Sequence, residues 1–503
     1  MSVLLAISPI VFVMVGIVGL KIKATKVSLA AMLYTIIISY IAFNGTADLI
    51  KTQGFNGVYS AAQTMCVIFG AFTMLSVMRL SGAMDKINVT LSHVSNDKRV
   101  LLILIAFAFG AFIEGAAGAG TPAAIAAPFL VGLGFHPMSA VMASLISNGL
   151  PSSYGGAGLS TIVGTGGVVD VVPTMNASST AGWLHLFGAL IVPTMIILLL
   201  YGKKGLQGKG IKGFLLSIGA TYGATLFVIS NFVGPELVSM TTGVVTIIAV
   251  IIYVRLVKIE TPIDFYVTKE KKAASDQTSV TIKEDKFSAL QALSPYLILL
   301  IALPVIRFNV PLKILTVYGY PTWVGLVIFI VALIGAIILK SAKLIPESIK
   351  IAFKSIIPAF IAMGSLLVLA NIMNKTGMMA LIAKTLSAAG GFYPALSVFI
   401  GSLGAFMTGS TLGSNIMFAP LHVQAASLLN LNPSILVGSS SAGGALGNII
   451  CPNNVIAVAT TVNLLGSEGE IIKKVLKPWF ILALMYGGLS LLYSHILFPT
   501  YGM

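Results

Sequence analysis

Apolar segments about as long as a membrane-spanning helix recur throughout the chain. Clear examples are SVLLAISPIVFVMVGIVGL near the start, FLLSIGATYGATLFVISNFVG at 214–234 and PTWVGLVIFIVALIGAIIL at 321–339. Each approaches the ~20 apolar residues that one bilayer crossing requires. Of the 503 residues, 57% are hydrophobic and only 9% are charged, which is too apolar for a soluble fold. We therefore predict a polytopic membrane protein with roughly a dozen spans at that length per crossing.

The spans are predicted to be α-helices, because a helix in lipid satisfies its own backbone hydrogen bonds. The first segment has no small-residue cleavage site and runs into Lys21, Lys23 and Lys26, so we expect it to remain as a span rather than to act as a signal peptide. The two cysteines, Cys66 and Cys451, offer no disulfide framework and no metal-ligand spacing. No metal or cofactor is predicted.

The formal net charge of +15 comes from short Lys and Arg clusters between apolar segments. The positive-inside rule places such clusters in the cytoplasm, so they indicate a cell-membrane protein among lipids rather than a nucleic-acid partner. On this rule the N-terminus lies outside. The main clusters lie at 21–26, 79–99, 203–212, 255–286 and 340–354.

A polar stretch of mixed charge at 258–287, KIETPIDFYVTKEKKAASDQTSVTIKEDKF, divides the chain near its middle. Its composition is typical of a cytoplasmic linker. We therefore predict an N-terminal membrane half at 1–257 and a C-terminal membrane half at 288–503.

The two halves resemble each other. SVMRLSGAM at 76–84 can be aligned with LANIMNKTGMM at 369–379, and GAFIEG at 110–115 with GAFMTG at 404–409. The repeats extend over about 57–170 and about 352–465. Because charge counting directs the segment at 58–80 inward and the one at 351–372 outward, we predict an inverted-topology repeat. Such repeats are the signature of secondary transporters, whose substrate binds near the midplane between broken helices.

Four segments rich in Gly, Ser, Thr and Asn are unlike ordinary spans: FIEGAAGAGTPAAIAAP at 112–128, SLISNGLPSSYGGAGLSTIVGTGG at 144–167, FMTGSTLGSNIMFAP at 406–420 and VGSSSAGGALGNIICPNNV at 437–455. Glycine alone often means close helix packing. Irregular backbone at membrane depth, however, is tolerated only against protein or a water-filled cavity. The combination of glycine with proline, asparagine and hydroxyl side chains in these segments therefore favours a binding site.

A helix that breaks at glycine and restarts presents free N–H groups and the positive end of its dipole, which can hold a carboxylate without a cation. Hydrogen-bonding side chains near the breaks suit a small hydroxylated carboxylate. The alternative is that these groups only cap the broken helices. The candidate residues are Ser147, Asn148, Ser410, Ser414 and Asn415.

Glu114 and Asp170 are the only charged Asp, Glu, Lys or Arg residues between Arg99 and Lys203. Acids within the membrane usually face the bundle interior and mark ion or proton pathways. A buried Glu114 that takes up a proton and releases it to an aqueous face would couple transport to protons. The alternative is a carboxylate placed at a helix N-terminus, where the dipole favours it. His422, just after the third break, is a weaker candidate for a proton relay, as are His136 and His185.

From FIEGAAGAGTPAAIAAPFLVGLGFHP onward, the chain resembles the lactate permease family. Further matches are SNGLPSSYGGAG at 147–158, SNFVGPEL at 230–237, GSLGAFMTGSTLGSNIMFAPLHVQAA at 401–426 and AGGALGNIICPNNVIAVA at 442–459. The resemblance covers nearly the whole chain. It implies symport of protons with L-lactate, D-lactate or glycolate. It also implies an elevator-type fold with two re-entrant hairpins and a scaffold that often dimerises.

On this resemblance, Glu114 is the family's motif acid, and the substrate-binding residues lie in the same motifs. Two positions depart from the family pattern: Thr411 stands in place of an Asp, and Asn448 in place of a Lys. If those charges pair in relatives, their joint loss leaves the net charge of the site unchanged. The substrate-binding residues so implied are Gly115, Gly118, Gly120, Thr121, Ser410, Thr411, Ser414, Asn415, Asn448 and Asn453.

Other functions remain open at the level of sequence. Asn, Ser and backbone carbonyls at the breaks would also hold sodium, so a sodium-coupled or exchange carrier for another organic anion is the alternative. A membrane-embedded enzyme would need a nucleophile with a base or a metal cluster, and only Cys451 and His422 form a pair worth naming. A channel would not need Glu114.

Overall fold

The computed structural model describes residues 2–20, 22–118, 121–166, 169–267, 287–309 and 319–501. Within these residues the chain is helical, and its β pairing is limited to an isolated bridge between Asp97 and Tyr266. Eleven helices of the described part are long and apolar enough to cross a membrane, or up to twelve if the bent pair Pro433–Ile450 and Pro452–Thr461 is one span. The predicted all-α polytopic architecture is confirmed.

The helices of the first half are α1 (Ser2–Met14), α2 (Ala24–Ala42), α3 (Ala47–Leu80), α4 (Ala83–Ser92), α5 (Lys98–Leu102), α6 (Gly110–Ala117), α7 (Thr121–Gly132), α8 (Pro137–Asn148), α9 (Gly155–Thr161), α10 (Thr174–Tyr201), α11 (Ile211–Phe232) and α12 (Val238–Leu256). A π-helical stretch at Ile103–Phe109 joins α5 to α6, so Lys98–Ala117 forms one continuous span. A 3-10 turn, Pro151–Tyr154, separates α8 from α9.

The helices of the second half are α13 (Ala289–Asn309), α14 (Tyr320–Ile338), α15 (Ile345–Lys375), α16 (Met378–Leu386), α17 (Tyr393–Thr408), α18 (Thr411–Leu429), α19 (Pro433–Ile450), α20 (Pro452–Thr461) and α21 (Glu468–Leu492). Each of the four predicted breaks separates two helices: α6 from α7, α8 from α9, α17 from α18, and α19 from α20.

The first apolar segment forms a shorter helix than its composition predicts. The apolar helix covers Ser2–Ile17 and is shorter than a full crossing. Its α-helical part ends at Met14, and a π-helical turn follows at Val15–Gly19, where Gly16 lies directly against Val27 of α2. Whether this helix spans the bilayer stays a prediction.

Helix order repeats between the halves. A long helix, a short helix, a helix that ends at a break, its continuation, a second broken pair and a final long helix follow one another in α3–α10 and again in α15–α21. The sequence match at the start of each repeat has a structural counterpart, because Gly82 before α4 and Gly377 before α16 adopt φ of 82° and 81°. The inverted orientation of the repeats, and their exact limits, stay predictions.

The start of the charged linker is packed onto the first half. Arg99 is fully buried and pairs with Asp97 at 2.6 Å, while its guanidinium donates to the carbonyls of Gly205 at 3.1 Å and Glu260 at 3.1 Å. The guanidinium also lies 4.7 Å from the centre of the Phe265 ring. These contacts hold the linker to the loop after α10. The remainder of the predicted linker, 268–286, lies outside the described residues.

Close backbone contact joins α17 to α19, the helices on either side of α18. Gly401 of α17 lies against the carbonyl of Ser440, and Gly443 and Gly447 of α19 lie against the carbonyls of Val398 and Ser402. Small residues allow such an approach, which is the usual way helices associate in lipid. The contact fixes α19 beside the break between α17 and α18.

We expect Gly401→Leu to lower the melting temperature of the purified protein markedly. The new side chain would meet the α19 backbone, and overpacking of this kind costs about 1–3 kcal/mol or more. Gly488→Leu is the matched control, since Gly488 lies exposed on α21. In the described part of the protein, no atom beyond its chain neighbours and its own helix backbone lies within 4 Å of the position that a Cβ would take there. Equal melting temperatures for the two variants would contradict the close α17–α19 contact.

Candidate functional site

A cavity of about 220 Å³ lies where the helix breaks of both halves meet. Residues from the ends of α6, α8, α17 and α19 contribute to its wall, together with the starts of α9 and α18. Apolar residues of α2, α3, α15 and the π-helical turn after α1 complete the wall. Its polar and glycine lining consists of Ser28, Glu114, Gly118, Asn148, Ser152, Gly155, Gly156, Ser160, Thr408, Gly409, Ser410, Thr411, Gly413 and Asn448.

Glu114 lies in the last turn of α6 and is 3% exposed. The Asn148 side chain lies next to its carboxyl, and the Asn148 amide donates to Ser152 Oγ at 3.2 Å. The Ser152 hydroxyl in turn donates to the Asn148 carbonyl. Oε2 of Glu114 makes no hydrogen bond within the described part of the protein. The acid therefore lies beside the first pair of breaks with an oxygen available to a further partner.

Glycines let the two first-half breaks pack against each other next to the acid. Gly118 ends α6 with φ 63° and ψ −162°, a conformation open essentially to glycine alone. A Cβ at Gly118 would lie 2.8 Å from the backbone nitrogen of Gly156, and a Cβ at Gly155 would collide with Oε1 of Glu114. Larger residues here would separate the breaks or displace the carboxyl.

The break in the second half has the same position in its repeat but different chemistry. Thr408 occupies the place of Glu114 in the aligned GAFIEG and GAFMTG motifs, and its hydroxyl donates to the Gly404 carbonyl at 2.9 Å. Gly409 follows with φ 74°. Ser410 caps α18, accepting at Oγ from Gly413 N at 3.3 Å. This wall of the cavity carries hydroxyls and the start of a 19-residue helix, but no acid.

Thr411 and Asn448, the two departures from the family pattern, contact each other at the cavity. Asn448 Nδ2 donates to Thr411 Oγ1 at 2.8 Å, and Asn454 Nδ2 donates to Asn448 Oδ1 at 3.2 Å. Thr411 and Asn448 both line the cavity. A neutral hydrogen-bonded pair therefore occupies these two positions.

Three other predicted polar residues at the breaks are buried away from the cavity lining. Ser147 lies within α8. Ser414 Oγ donates to the Gly401 carbonyl at 2.6 Å. Asn415 Nδ2 donates to the Ser160 carbonyl at 2.8 Å and to Ser441 Oγ at 3.0 Å. The hydrogen bonds of Ser414 and Asn415 join helices to one another.

The remaining predicted binding residues are dispersed. Gly115 lies against the backbone of Met240 in α12. Thr121 begins α7, with its N–H bonded to the Gly118 carbonyl at 3.2 Å. Asn453 is exposed near the start of α20. Gly120 lies outside the described residues.

Two of the histidines proposed as relays are buried away from the cavity lining. His422 is buried in α18 with Nδ1 3.1 Å from the Tyr393 hydroxyl, and His185 is buried in α10. His136 caps α8, accepting at Nδ1 from Met138 N at 3.3 Å. Within the described residues, no group of three or more His, Cys, Asp and Glu residues could hold a metal ion.

Ser152, Gly155, Gly156, Thr408 and Asn454 were not singled out from the sequence, although all but Asn454 line the cavity. A signal was present for Thr408, because the repeat alignment pairs it with Glu114. The others lie inside motifs whose members alternate between the cavity and neighbouring helices, which sequence does not distinguish.

A family model described as L-lactate permease matches residues 2–320 and 309–497 of the chain. Glycolate permease GlcA of Escherichia coli (strain K12) is 27% identical over 544 residues, covering 99% of this chain and 96% of that protein. The L-lactate permease of Bacillus subtilis (strain 168) is 26% identical over 551 residues, with the same two coverages.

Among solved structures, Neisseria gonorrhoeae MtrF, described with a class of antimetabolite efflux pumps, aligns with a TM-score of 0.53 at 13% identity. The alignment covers 94% of this chain and 96% of that one. At this identity the likeness concerns the fold alone. It extends over nearly the whole chain, so the bundle shares the overall fold of that protein.

We expect Gly118→Ala to destabilise the purified protein more than Gly377→Ala. Gly377 is in the left-handed helical region, which costs an L-residue about 1–2 kcal/mol, whereas the backbone angles of Gly118 are open essentially to glycine alone. In addition, a Cβ would meet a neighbouring backbone at Gly118 but no non-neighbouring atom of the described protein at Gly377. The melting temperatures of the two variants in detergent measure the difference. An equal loss in both would mean that the two first-half breaks are not in contact.

Proposed function

Because the chain belongs to the L-lactate permease family, we propose that it is a secondary transporter that imports a small 2-hydroxy monocarboxylate, lactate or glycolate, together with protons. The observation that carries this proposal is the cavity between the four breaks, which combines one buried acid with neutral hydrogen-bonding groups. The names of the relatives, glycolate permease and L-lactate permease, agree with a small hydroxy acid as substrate.

The size of the cavity supports a small substrate. Pockets for drug-sized ligands usually enclose about 300–1,000 Å³, whereas this cavity encloses about 220 Å³. Its apolar wall, which includes Met363 and Leu366 of α15, would accept the methyl group of lactate. Larger or more polar anions would fit less well.

The start of α18 is the proposed seat of the substrate carboxylate. The first N–H groups of a helix have no partner within the helix, and the dipole makes this end positive. Thr411 and Leu412 begin α18 at the cavity, and Asn448 contributes an amide beside them. Among the described lining residues there is no Lys, Arg or His. A substrate carboxylate held only by the helix N-terminus and the Asn448 amide would bind weakly enough to be released.

Glu114 is the proposed proton carrier. An ionised Glu114 and a substrate carboxylate about 4 Å apart would repel each other by about 4 kcal/mol at an effective dielectric constant of 20. That repulsion corresponds to roughly a thousandfold in affinity. The anion would therefore bind well only when Glu114 carries a proton, which links the two cargoes. A protonated Glu114 would also donate to the substrate.

An elevator-type motion is proposed from the order of the helices. The stretches that start near Glu114 and near Thr408, at the breaks between α6 and α7 and between α17 and α18, are the candidate re-entrant hairpins of an elevator-type transporter. The basic loops are proposed to face the cytoplasm and the N-terminus the outside. A homodimer is also proposed, because the resemblance to the lactate permease family implies a scaffold that often dimerises.

We predict that Glu114→Gln abolishes accumulation of L-lactate in proteoliposomes driven by an inward pH gradient. The amide cannot carry a proton, so uptake loses its driving force, whereas counterflow exchange of lactate persists. Uptake of labelled L-lactate against its gradient is the measurement. Asp170→Asn is the matched control, since Asp170 is an exposed acid outside the cavity.

Retained accumulation in Glu114→Gln would contradict the coupling role.

Replacing sodium by choline at constant pH distinguishes proton coupling from sodium coupling. We expect no change in L-lactate uptake. A requirement for sodium would replace the proton proposal by sodium coupling at the same breaks.

We predict that Asn448→Leu weakens L-lactate binding by roughly 10- to 100-fold, the range expected for loss of a hydrogen bond to a charged group. Asn453→Leu is the matched control, because Asn453 belongs to the same motif but lies exposed and outside the cavity lining. Isothermal titration of the purified proteins gives both affinities. An equal effect of the two substitutions would exclude Asn448 from the binding site.

A further inference from the structure

A buried hydrogen-bond network lies behind the cavity and reaches from the first-half break to helices of the second half. His185 of α10 is its centre and is fully buried. Its Nε2 lies 2.8 Å from Ser153 Oγ, and its Nδ1 lies 2.9 Å from the Tyr486 hydroxyl of α21. Neither His185 nor Tyr486 lines the cavity, so the network does not touch the proposed substrate.

His185 joins Ser153 to Tyr486 in either neutral tautomer. If the Ser153 hydroxyl donates its one proton to the Ser441 carbonyl of α19 at 3.2 Å, Nε2 donates to Ser153 and Nδ1 accepts from Tyr486. In the other tautomer, Ser153 donates to Nε2 and Nδ1 donates to the Tyr486 oxygen. Both forms keep the contact between Nε2 and Ser153 and the contact between Nδ1 and Tyr486.

Ser153 belongs to the 3-10 turn Pro151–Tyr154, whose neighbouring residue Ser152 lines the cavity. The two adjacent serines therefore serve different purposes. Ser152 is bonded to Asn148, the partner of Glu114, whereas Ser153 anchors the turn to α10 and α19. The hydroxyl of Ser441 accepts a hydrogen bond from the Asn415 amide, which also donates to the Ser160 carbonyl.

We propose that His185 is a positioning residue: through Ser153 it holds the turn between α8 and α9 so that Asn148 and Ser152 meet Glu114 in the geometry that binds substrate. The proposal rests on the proposed function for its transport readout, but the fixed turn is a structural claim that can be tested without substrate. The contact that anchors the turn is the hydrogen bond between Nε2 and the Ser153 hydroxyl. The Nδ1 contact with Tyr486 orients the ring.

Two substitutions separate these contacts. In His185→Gln the side-chain amide can take the place of Nε2 and still hydrogen-bond to Ser153. In His185→Asn the shorter amide can take the place of Nδ1 and still hydrogen-bond to Tyr486, but Ser153 loses its His185 partner. A residue that mattered only for filling space would respond similarly to both amides. Ser153→Ala removes the anchored hydroxyl itself.

We expect the KM for L-lactate uptake in proteoliposomes to rise roughly tenfold in His185→Asn and Ser153→Ala, the effect of losing one buried hydrogen bond. In His185→Gln we expect KM to stay within roughly threefold of the unmodified protein. The maximal rate should change less than KM in all three. Similar KM values for the Asn and Gln variants would overturn the proposal.

Hydrogen exchange measured without substrate tests the same claim independently. Backbone amides of residues 152–158 should exchange faster in His185→Asn and Ser153→Ala, and at the original rate in His185→Gln. If the unmodified protein does not transport lactate but the exchange pattern holds, the proposed function fails and the positioning role stands. Unchanged exchange in all variants would overturn the positioning role, whatever the transport result.

Discussion

Backbone polar groups at helix breaks must find partners within the protein, because hydrocarbon offers none. Hydroxyl side chains from neighbouring helices supply partners at the first-half turn. Ser239 of α12 donates to the Pro151 carbonyl at 2.7 Å, and Thr161 of α9 donates to the Ser153 carbonyl at 2.8 Å. The packing of the bundle around the breaks follows from this requirement, and the cavity is the space that the packed breaks enclose.

The two repeats supply different halves of the same cavity. At equivalent positions the first repeat has Glu114 and the second has Thr408, so a titratable group faces a wall of hydroxyls, an amide and a helix start. The neutral pair of Thr411 and Asn448 adds no charge to compete with the substrate or with the acid. In the proposed mechanism, this asymmetry would let one repeat carry the proton while the other holds the anion.

Several of these features could be predicted from the sequence because their physical causes are local. Glu114 stood out as a rare charge in an apolar region, and Gly82 and Gly377 matched because both helices restart from a left-handed residue. The roles of Ser152 and Ser153 could not be separated in this way. Helical periodicity ends at a break, so which side chain faces the cavity depends on backbone angles such as the positive φ values of Gly156, Ala157 and Gly158. For the same reason, the sequence did not show that the side chains of Ser414 and Asn415 bond to neighbouring helices, and their role as ligands stays a prediction.

The central claim is that substrate binds among the four breaks, beside Glu114. A cryo-EM structure of the full chain in lipid nanodiscs at saturating L-lactate, compared with one without lactate, tests it most directly. We expect new density between the Glu114 carboxyl and the Thr411–Asn448 pair, in contact with the start of α18. Lactate density elsewhere in the protein, with this cavity unchanged, would contradict the account.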